Sequence, residues 1–251
     1  MVQVSLVNRM KSGPSPRGVL YPVVKGLLKP VVGRLYRVET TGVEHVPGTG
    51  PVILAANHVS FIDSMMIATS IPRSMVYLAK AEYFESWKTG WLFRGLGMIP
   101  VRRGVRSESE AALMQAAGVL EQGSVLGLFP EGTRSIDGRL YRGRTGVARL
   151  ALRSAVPVVP VGILGTREIM PKNARFPRLR GRVKLRFGSA LKFDEFNGAK
   201  PSGVVLRKVT DQIMAAITSL SQQEYVDRYA SSGRPAPVLG DFRLPTEEML
   251  G

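Results

Sequence analysis

The sequence predicts an α/β fold, a single domain in which a mixed, mostly buried β-sheet is flanked by helices. Two observations support this class. Short apolar runs alternate with helical patterns from about residue 50 onward. The chain has 251 residues, 44% of them hydrophobic, which is enough for one large domain with its own core. We therefore expect a domain over 39–225, preceded by a flexible arm at 1–17 and an amphipathic helical segment at 18–38, and followed by a flexible tail at 226–251.

The elements of this domain follow one another as apolar strands and periodic helices. The predicted strands are 51–56, 75–80, 98–101, 124–129, 156–163 and 182–188. The predicted helices are 60–71, 86–96, 107–123, 143–155 and 202–223. The run VPVVPVGI at 156–163 contains two prolines, which suits an edge strand or a pocket wall, although plain core is the alternative.

The segment at 18–38 repeats apolar residues at helical spacing, with Lys25, Lys29 and Arg34 off that stripe. Pro22 and Pro30 indicate either two short helices or one kinked helix. One interpretation is a helix lying in a membrane interface, with basic residues at the headgroups; the other is a helix packed on the domain's own core. No apolar run reaches the roughly 20 residues that span a bilayer, and no cleaved signal peptide is recognisable.

The charge is strongly positive. There are 35 Lys and Arg against 19 Asp and Glu, a formal net charge of +16. Such a chain binds polyanions, either anionic lipid or nucleic acid. The basic stretch 171–188, which contains Phe176 and Phe187, fits nucleic acid superficially, but no nucleic-acid-binding motif accompanies it. The absence of cysteine excludes disulfides, thiolate metal sites and a Cys nucleophile.

The stretch NHVSFID at 57–63 contains His58, one of only two histidines, and Asp63. Five residues turn an α-helix by about 140°, so this pair meets only if His58 lies in a strand-to-helix turn and Asp63 in the first helical turn. There Asp63 could orient the imidazole as a general base. The alternative is a capping box, with Ser60 as the N-cap and Asp63 at its third position.

Two further blocks carry polar groups at the ends of predicted strands. GMIPVRRG at 97–104 ends in paired arginines, whose guanidinium groups suit phosphate oxygens, although a solvated basic turn is the alternative. FPEGTRS at 129–135 follows a hydrophobic strand, where α/β folds bind ligands. An ordinary turn is the alternative there.

In this order and spacing, the blocks resemble the glycerolipid acyltransferase family, best known for its 1-acylglycerol-3-phosphate acyltransferases, over residues 40 to 190. NHVSFID and FPEGTRS carry the specific part of the resemblance, and GMIPVRR matches more loosely. The resemblance implies His58 as the general base and Asp63 as the residue that orients it. It implies that Arg103 and Arg134 hold a phosphate. The remaining candidates for substrate binding are Glu131, Gly132, Thr133, Asn57 and Ser60.

The implied reaction is acyl transfer from acyl-CoA or acyl-carrier protein to the free hydroxyl of lysophosphatidate, giving phosphatidic acid. No metal or other cofactor is expected. The expected location is peripheral, on the cytoplasmic face of a membrane with an anionic surface. The alternatives are another lysophospholipid, a glycolipid or glycerol 3-phosphate as acceptor, a hydrolase or ping-pong enzyme that uses Ser60 as nucleophile, and a nucleic-acid-binding protein. G-x-S-x-G, the usual nucleophile motif, is absent.

Overall fold

The computed structural model describes residues 18–102, 106–196 and 201–230. Its helices are α1 (Tyr21–Leu35), α2 (Asp63–Ser70), α3 (Glu82–Glu85), α4 (Gly90–Gly95), α5 (Arg106–Glu121), α6 (Gly146–Ser154), α7 (Thr166–Ile169) and α8 (Gly203–Ser221). Its strands are β1 (Tyr36–Thr41), β2 (Val52–Ala56), β3 (Met75–Lys80), β4 (Ile99–Val101), β5 (Val125–Leu128), β6 (Leu140–Tyr141), β7 (Val158–Leu164), β8 (Gly181–Phe187) and β9 (Tyr225–Val226).

A mixed sheet of seven strands forms the centre of the described chain, in the order β1-β8-β7-β2-β5-β3-β4. Its pairs are parallel except for β7 with β8, which is antiparallel. Strands β6 and β9 form a separate parallel pair. The predicted α/β class with a mixed, flanked sheet is confirmed.

Helices cover both faces of the sheet. Within β2, Ile53 and Ala55 pack with residues of α5, α6 and α8. Val52 and Leu54 point the other way and pack with residues of α1, α2 and α7. Because successive side chains of a strand point to opposite faces, a strand buried on both faces is continuously apolar, as VILAA is.

Strand β7 lies between β8 and β2, so the prediction of an edge position for VPVVPVGI is wrong. A central strand tolerates Pro160 because of where β8 ends. The Pro160 carbonyl accepts a hydrogen bond from Gly188, the residue after β8. The nitrogen of Pro160 also faces β8. The last residue pair between β7 and β8 is Val161 with Phe187, so the N–H that proline lacks lies outside the paired residues of the two strands.

Other boundaries also differ from expectation. The single helix predicted over 86–96 is two short helices, α3 and α4, and α2 begins at Asp63 rather than at residue 60. The predicted tail at 226–251 starts inside β9, which hydrogen-bonds alongside β6. Residues 231–251 and the predicted arm at 1–17 lie outside the described residues.

Helix α1 is one continuous helix with Pro30 inside it. One face packs on the domain through residues such as Tyr21 and Val32. Its Lys25 ammonium donates hydrogen bonds to the carbonyl oxygens of Ile71 and Arg73. None of the helices in the described part of the chain is both long enough and apolar enough to cross a membrane.

Candidate active site

Two polar segments leave the same edge of the sheet. Strands β2 and β5 are parallel neighbours, so the segments that follow them, 57–63 and 129–135, emerge side by side. The backbone N–H of Ser135 donates to the carbonyl oxygen of His58 at 2.7 Å, which joins the two segments directly. The register of the sheet therefore brings the predicted catalytic pair next to FPEGTRS.

His58 and Asp63 are in contact. Nδ1 of His58 lies 2.9 Å from Oδ2 of Asp63. The same oxygen accepts the backbone N–H groups of Val59 and Ser60, both at 2.8 Å, and Asp63 is fully buried. Because the carboxylate accepts the Nδ1 proton, Nε2 is the nitrogen that can take a proton from a substrate. The His58 side chain is 15% exposed, so the ring is reachable from outside.

Ser60 does not cap α2. Its hydroxyl donates to the carbonyl oxygen of Met170 at 2.7 Å, and the N-cap position of the helix belongs to Ile62, whose side chain makes no capping bond. The predicted N-cap is therefore wrong, because the helix begins at Asp63, and the Ser60 oxygen accepts the N–H of Ile62, at 3.5 Å, before the helix begins. The reciprocal half of the box does form, since the Asp63 carboxylate accepts the Ser60 N–H.

Asn57 bonds the protein through both ends of its buried amide. Its Nδ2 donates to the Ile163 carbonyl at 2.9 Å, and its Oδ1 accepts the Ile163 N–H at 2.7 Å. Asn57 thus continues the pairing of β2 with β7 after the strand itself has ended. This clamp fixes the backbone immediately before His58.

Glu131 has a similar role on the other side of His58. Its side chain is buried; Oε1 accepts the His58 N–H at 2.9 Å and Oε2 accepts the Tyr141 N–H at 3.1 Å. Burial raises the pKa of Glu131 to about 8, against the lowering effect of these two amides. The negative charges of Asp63 and Asp137 raise that pKa further. Substrate binding by Glu131 stays a prediction.

Gly132, Thr133 and Arg134 form the more accessible part of FPEGTRS. Gly132 has a φ of +74°, and a Cβ there would lie 3.1 Å from Cδ and Nε of Arg144, so the glycine allows that side chain to cross the loop. The Arg134 guanidinium donates to the carbonyl oxygen of Lys172 at 3.4 Å, and the Lys172 ammonium donates to the carbonyl oxygen of Arg134 at 3.0 Å. Within the described residues no carboxylate pairs with Arg134 or Arg144.

Asp137, which follows FPEGTRS in the chain, is already hydrogen-bonded within the protein. Although burial alone would raise it, hydrogen bonds from the Tyr141 hydroxyl and the Arg139 guanidinium lower the pKa of Asp137 to about 2. Arg139 donates from two nitrogens to one carboxylate oxygen, at 2.8 and 2.7 Å. The positive charge of Arg139 therefore offsets the negative charge of Asp137.

Arg103 lies outside the described residues. Its neighbour Arg102 is described, and its guanidinium pairs with the carboxylates of Glu85 and Glu108 at the surface. The predicted binding of phosphate by Arg103 stays a prediction.

Sequence reasoning missed three residues at this site: Phe129, Arg144 and Lys172. The Phe129 ring stacks on the His58 imidazole with centroids 3.9 Å apart. Arg144 reaches the site because its N–H donates to the Pro130 carbonyl at 2.8 Å. Phe129 is the first residue of FPEGTRS, so the motif itself could have identified it. Arg144 and Lys172 lie near the site through tertiary contacts that no short motif encodes.

Comparison with known proteins gives one consistent result. A model of the family described as Acyltransferase matches residues 37–164. A chloroplastic 1-acyl-sn-glycerol-3-phosphate acyltransferase, BAT2 of Brassica napus, is 32% identical over 137 residues, 54% of this chain and 40% of the relative. A 1-acyl-sn-glycerol-3-phosphate acyltransferase of Borreliella burgdorferi is 30% identical over 141 residues, 56% of each chain.

A solved structure is also similar. The crystal structure of the 1-acyl-sn-glycerophosphate acyltransferase PlsC from Thermotoga maritima superposes with a TM-score of 0.63 and 27% identity, covering 79% of each chain. The match to the curated plant relatives is shorter. The chain spans about 40% of the length of the Brassica napus protein.

Proposed function

Because the chain belongs to the acyltransferase family, we propose that it moves a fatty acyl group from an acyl thioester to the free hydroxyl of 1-acylglycerol 3-phosphate. The product would be phosphatidic acid, an intermediate of phospholipid synthesis. Relatives with this printed activity come from plants, bacteria and mammals, which supports the proposal. The observation that carries it is the contact of His58 with buried Asp63, beside a loop with two arginines that no described carboxylate pairs.

The reaction proceeds by direct transfer. Nε2 of His58 takes the proton of the acceptor hydroxyl as its oxygen attacks the thioester carbonyl carbon. The tetrahedral intermediate then expels the thiolate, the carbon–sulfur bond breaks and an ester remains. The imidazolium returns its proton to the thiolate, so His58 ends neutral. Asp63 stabilises the imidazolium between these two steps, and a base positioned in this way contributes about 10²–10⁴-fold to the rate.

The phosphate of the acceptor binds at the exposed side of FPEGTRS. Arg134 and Arg144 flank Gly132 and Thr133, and Lys172 hydrogen-bonds the backbone of Arg134. Guanidinium groups without a carboxylate partner can form charge-assisted hydrogen bonds with phosphate. Arg103 would add a further donor from the end of β4. A phosphate held there places the glycerol between this loop and His58.

Ser60 is a poor nucleophile in this arrangement. It is fully buried, and its hydroxyl proton is engaged by the Met170 carbonyl rather than by His58. A covalent acyl-serine would require that bond to break and the side chain to turn outward. These contacts favour direct transfer over the hydrolase or ping-pong alternative.

Helix α1 would hold the enzyme at a membrane. Opposite its packed face it exposes Val23, Leu27 and Val31, each four residues from the next, at 60%, 67% and 49%. Lys29 and Arg34 are exposed on the same helix. An apolar row beside basic groups suits the interface of an anionic bilayer. The packing of one face on the domain is therefore compatible with membrane binding by the other, and we propose that the protein is peripheral, on the cytoplasmic face of a membrane.

The decisive experiment is an acyl-transfer assay with purified protein and membranes. Labelled acyl-CoA and acyl-carrier protein serve as donors, and lysophosphatidate, other lysophospholipids, a glycolipid and glycerol 3-phosphate as acceptors. We expect transfer to lysophosphatidate, lost in His58→Ala and largely kept in Ser60→Ala. Turnover that survives in His58→Ala contradicts the proposal, and a trapped acyl-serine would replace it with the covalent route.

The nucleic-acid alternative is tested separately by sedimentation. The protein is mixed with vesicles of anionic lipid in the presence of RNA as competitor. We expect it to sediment with the vesicles, because in the β8 stretch Val183, Leu185 and Phe187 are buried and only the basic positions of the alternation reach the surface. Retention by RNA at the expense of vesicles would reverse this choice.

A further inference from the structure

The imidazole of His58 is one end of a stack of three rings. The Phe129 ring lies parallel to it, at 12° with centroids 3.9 Å apart. The Tyr77 ring is also nearly parallel to the Phe129 ring, at 11° with centroids 5.8 Å apart. Phe129 therefore stacks with both a buried tyrosine and the proposed catalytic base.

The sheet provides the back of this stack. Tyr77 of β3 is opposite Gly127 of β5, and a Cβ on Gly127 would lie 2.2 Å from Cε1 of the tyrosine ring. The ring therefore crosses β5 where no side chain obstructs it, and reaches Phe129 two residues further on. Burial raises the pKa of Tyr77 well above its ordinary value, so this ring stays uncharged while His58 titrates.

The stack supplies a constraint that Asp63 does not. A hydrogen bond between Nδ1 and Oδ2 holds one edge of the imidazole, but hydrogen bonds tolerate a broad range of angles, so the ring can still roll by small rotations about its Cβ–Cγ bond. A parallel ring against one face prevents the roll and thereby determines where Nε2 points. The face of an aromatic ring is also negative, so it attracts the imidazolium more than the neutral imidazole.

We propose that Phe129 is a positioning residue for the base: it fixes the plane of the His58 ring and stabilises the imidazolium formed during transfer. This inference rests on the proposed function, since it assumes that His58 accepts the proton. It assigns to Phe129 a role in the rate of the chemical step and none in holding the acceptor phosphate.

Phe129→Leu removes the aromatic face and keeps the residue apolar. We expect kcat to fall about tenfold with KM for lysophosphatidate unchanged, because the misplaced base acts only in the chemical step. Phe129→Tyr keeps the face and should restore most of the activity. Phe93→Leu is the matched control, because it breaks a comparable stack with Tyr83, at 4.9 Å, that does not include His58.

The second measurement is the titration of the imidazoles by NMR. With only two histidines in the chain, His45 serves as an internal reference. We expect Phe129→Leu to lower the midpoint of His58 by about half a pH unit and to leave His45 unmoved. The ionisable groups around His58 are Asp63 of α2, Glu131 after β5 and Tyr77 of β3. Since these are common to both proteins, the difference between the two midpoints reports the ring.

The wild type gives a test that does not depend on the folding of a variant. A ring 3.9 Å away shields the carbon-bound protons of His58, so they should resonate upfield of those of His45. The inference is overturned by unshielded His58 resonances, or by Phe129→Leu with unchanged kcat and an unmoved midpoint. If His58→Ala retains activity while the shielding is present, it is the proposed function that fails.

Discussion

Two regions of this molecule depart from the usual distribution of polar and apolar residues, in opposite directions. The segment 57–63 buries polar side chains: Asn57, Ser60 and Asp63 have no exposed surface. Helix α1 exposes apolar ones, with Leu27 at 67%. In the first region each of these side chains hydrogen-bonds to the protein itself, although the second carboxylate oxygen of Asp63, Oδ1, has no hydrogen-bond partner in the described part of the chain. In the second, nothing in the described residues covers the exposed row.

The difference separates positioning from binding. A buried polar group that is fully bonded inside the protein holds geometry and has no capacity left for a ligand. An exposed apolar row makes no such contacts within the described residues, so it is available to bind a partner such as the proposed membrane. Removing a group of the first kind should therefore change the rate or the stability, and removing one of the second kind should change binding alone.

Asp63→Asn tests the buried region most severely. The amide can still accept backbone N–H groups through its oxygen, but it no longer stabilises a protonated His58 and permits the wrong tautomer. We expect kcat to fall about 10²–10⁴-fold with the fold intact. Steady-state kinetics and a thermal unfolding scan measure the two effects. Asp211→Asn, at an exposed ion pair on α8, is the matched control and should retain activity.

Glu131→Gln tests whether a buried carboxyl here supports structure or binds substrate. Both of its oxygens accept backbone N–H groups, whereas an amide has one oxygen and would turn its NH₂ toward a donor. We expect the free energy of unfolding to fall by about 1–3 kcal/mol, measured by urea denaturation. Glu110→Gln, at an exposed pair, should change little. Unchanged stability with a raised KM for the acceptor would instead identify Glu131 as a glycerol ligand.

The same variant should also change how the free energy of unfolding depends on pH. In the folded protein the pKa of Glu131 is raised to about 8 from its ordinary value of 4.5, so the folded state binds more protons than the unfolded state between those values. This group's contribution is then complete below its unfolded pKa and is lost as pH rises toward about 8. Glu131→Gln should therefore lose this slope. An identical slope in both proteins contradicts the assignment.

The sequence predicts where the buried segment 57–63 lies in the fold, but it does not predict all of its hydrogen bonds. The position of His58 and Asp63 follows from a buried strand, a motif and the start of a helix, all of them local. The predicted N-cap at Ser60 fails because the helix begins only at Asp63, and the Ser60 hydroxyl donates to the carbonyl of Met170, 110 residues away, a contact that no local pattern reveals. Strand β1 is missed for a related reason: YRVETT is largely polar and becomes a strand by pairing with β8, which is distant in sequence.

Arg144→Gln tests a charged group at the edge of the candidate active site, whose guanidinium also lies 5.2 Å from the centroid of the Tyr229 ring. Its guanidinium crosses Gly132, and no described carboxylate pairs with it. We expect KM for lysophosphatidate to rise about tenfold with kcat nearly unchanged. The KM for an acceptor without phosphate, 1-monoacylglycerol, should not move. Arg153→Gln, exposed at the other end of α6, is the control for loss of one positive charge.

Val23→Ser tests the exposed row and has the smallest expected effect. Val23 is 60% exposed on α1, so the change removes apolar surface without opening a cavity. We expect binding to anionic vesicles to weaken about fivefold, since the side chain enters the interface only in part. Val204→Ser is the matched control, because Val204 is 79% exposed on α8, which covers the opposite face of the sheet.

If the exposed row of α1 binds lipid, turnover with a dispersed short-chain acceptor should be the same in the wild type and in both variants, and only turnover on vesicles should fall in Val23→Ser. A loss of turnover with the dispersed acceptor as well would mean that α1 supports the active site, and the separation of positioning from binding would not hold for this helix.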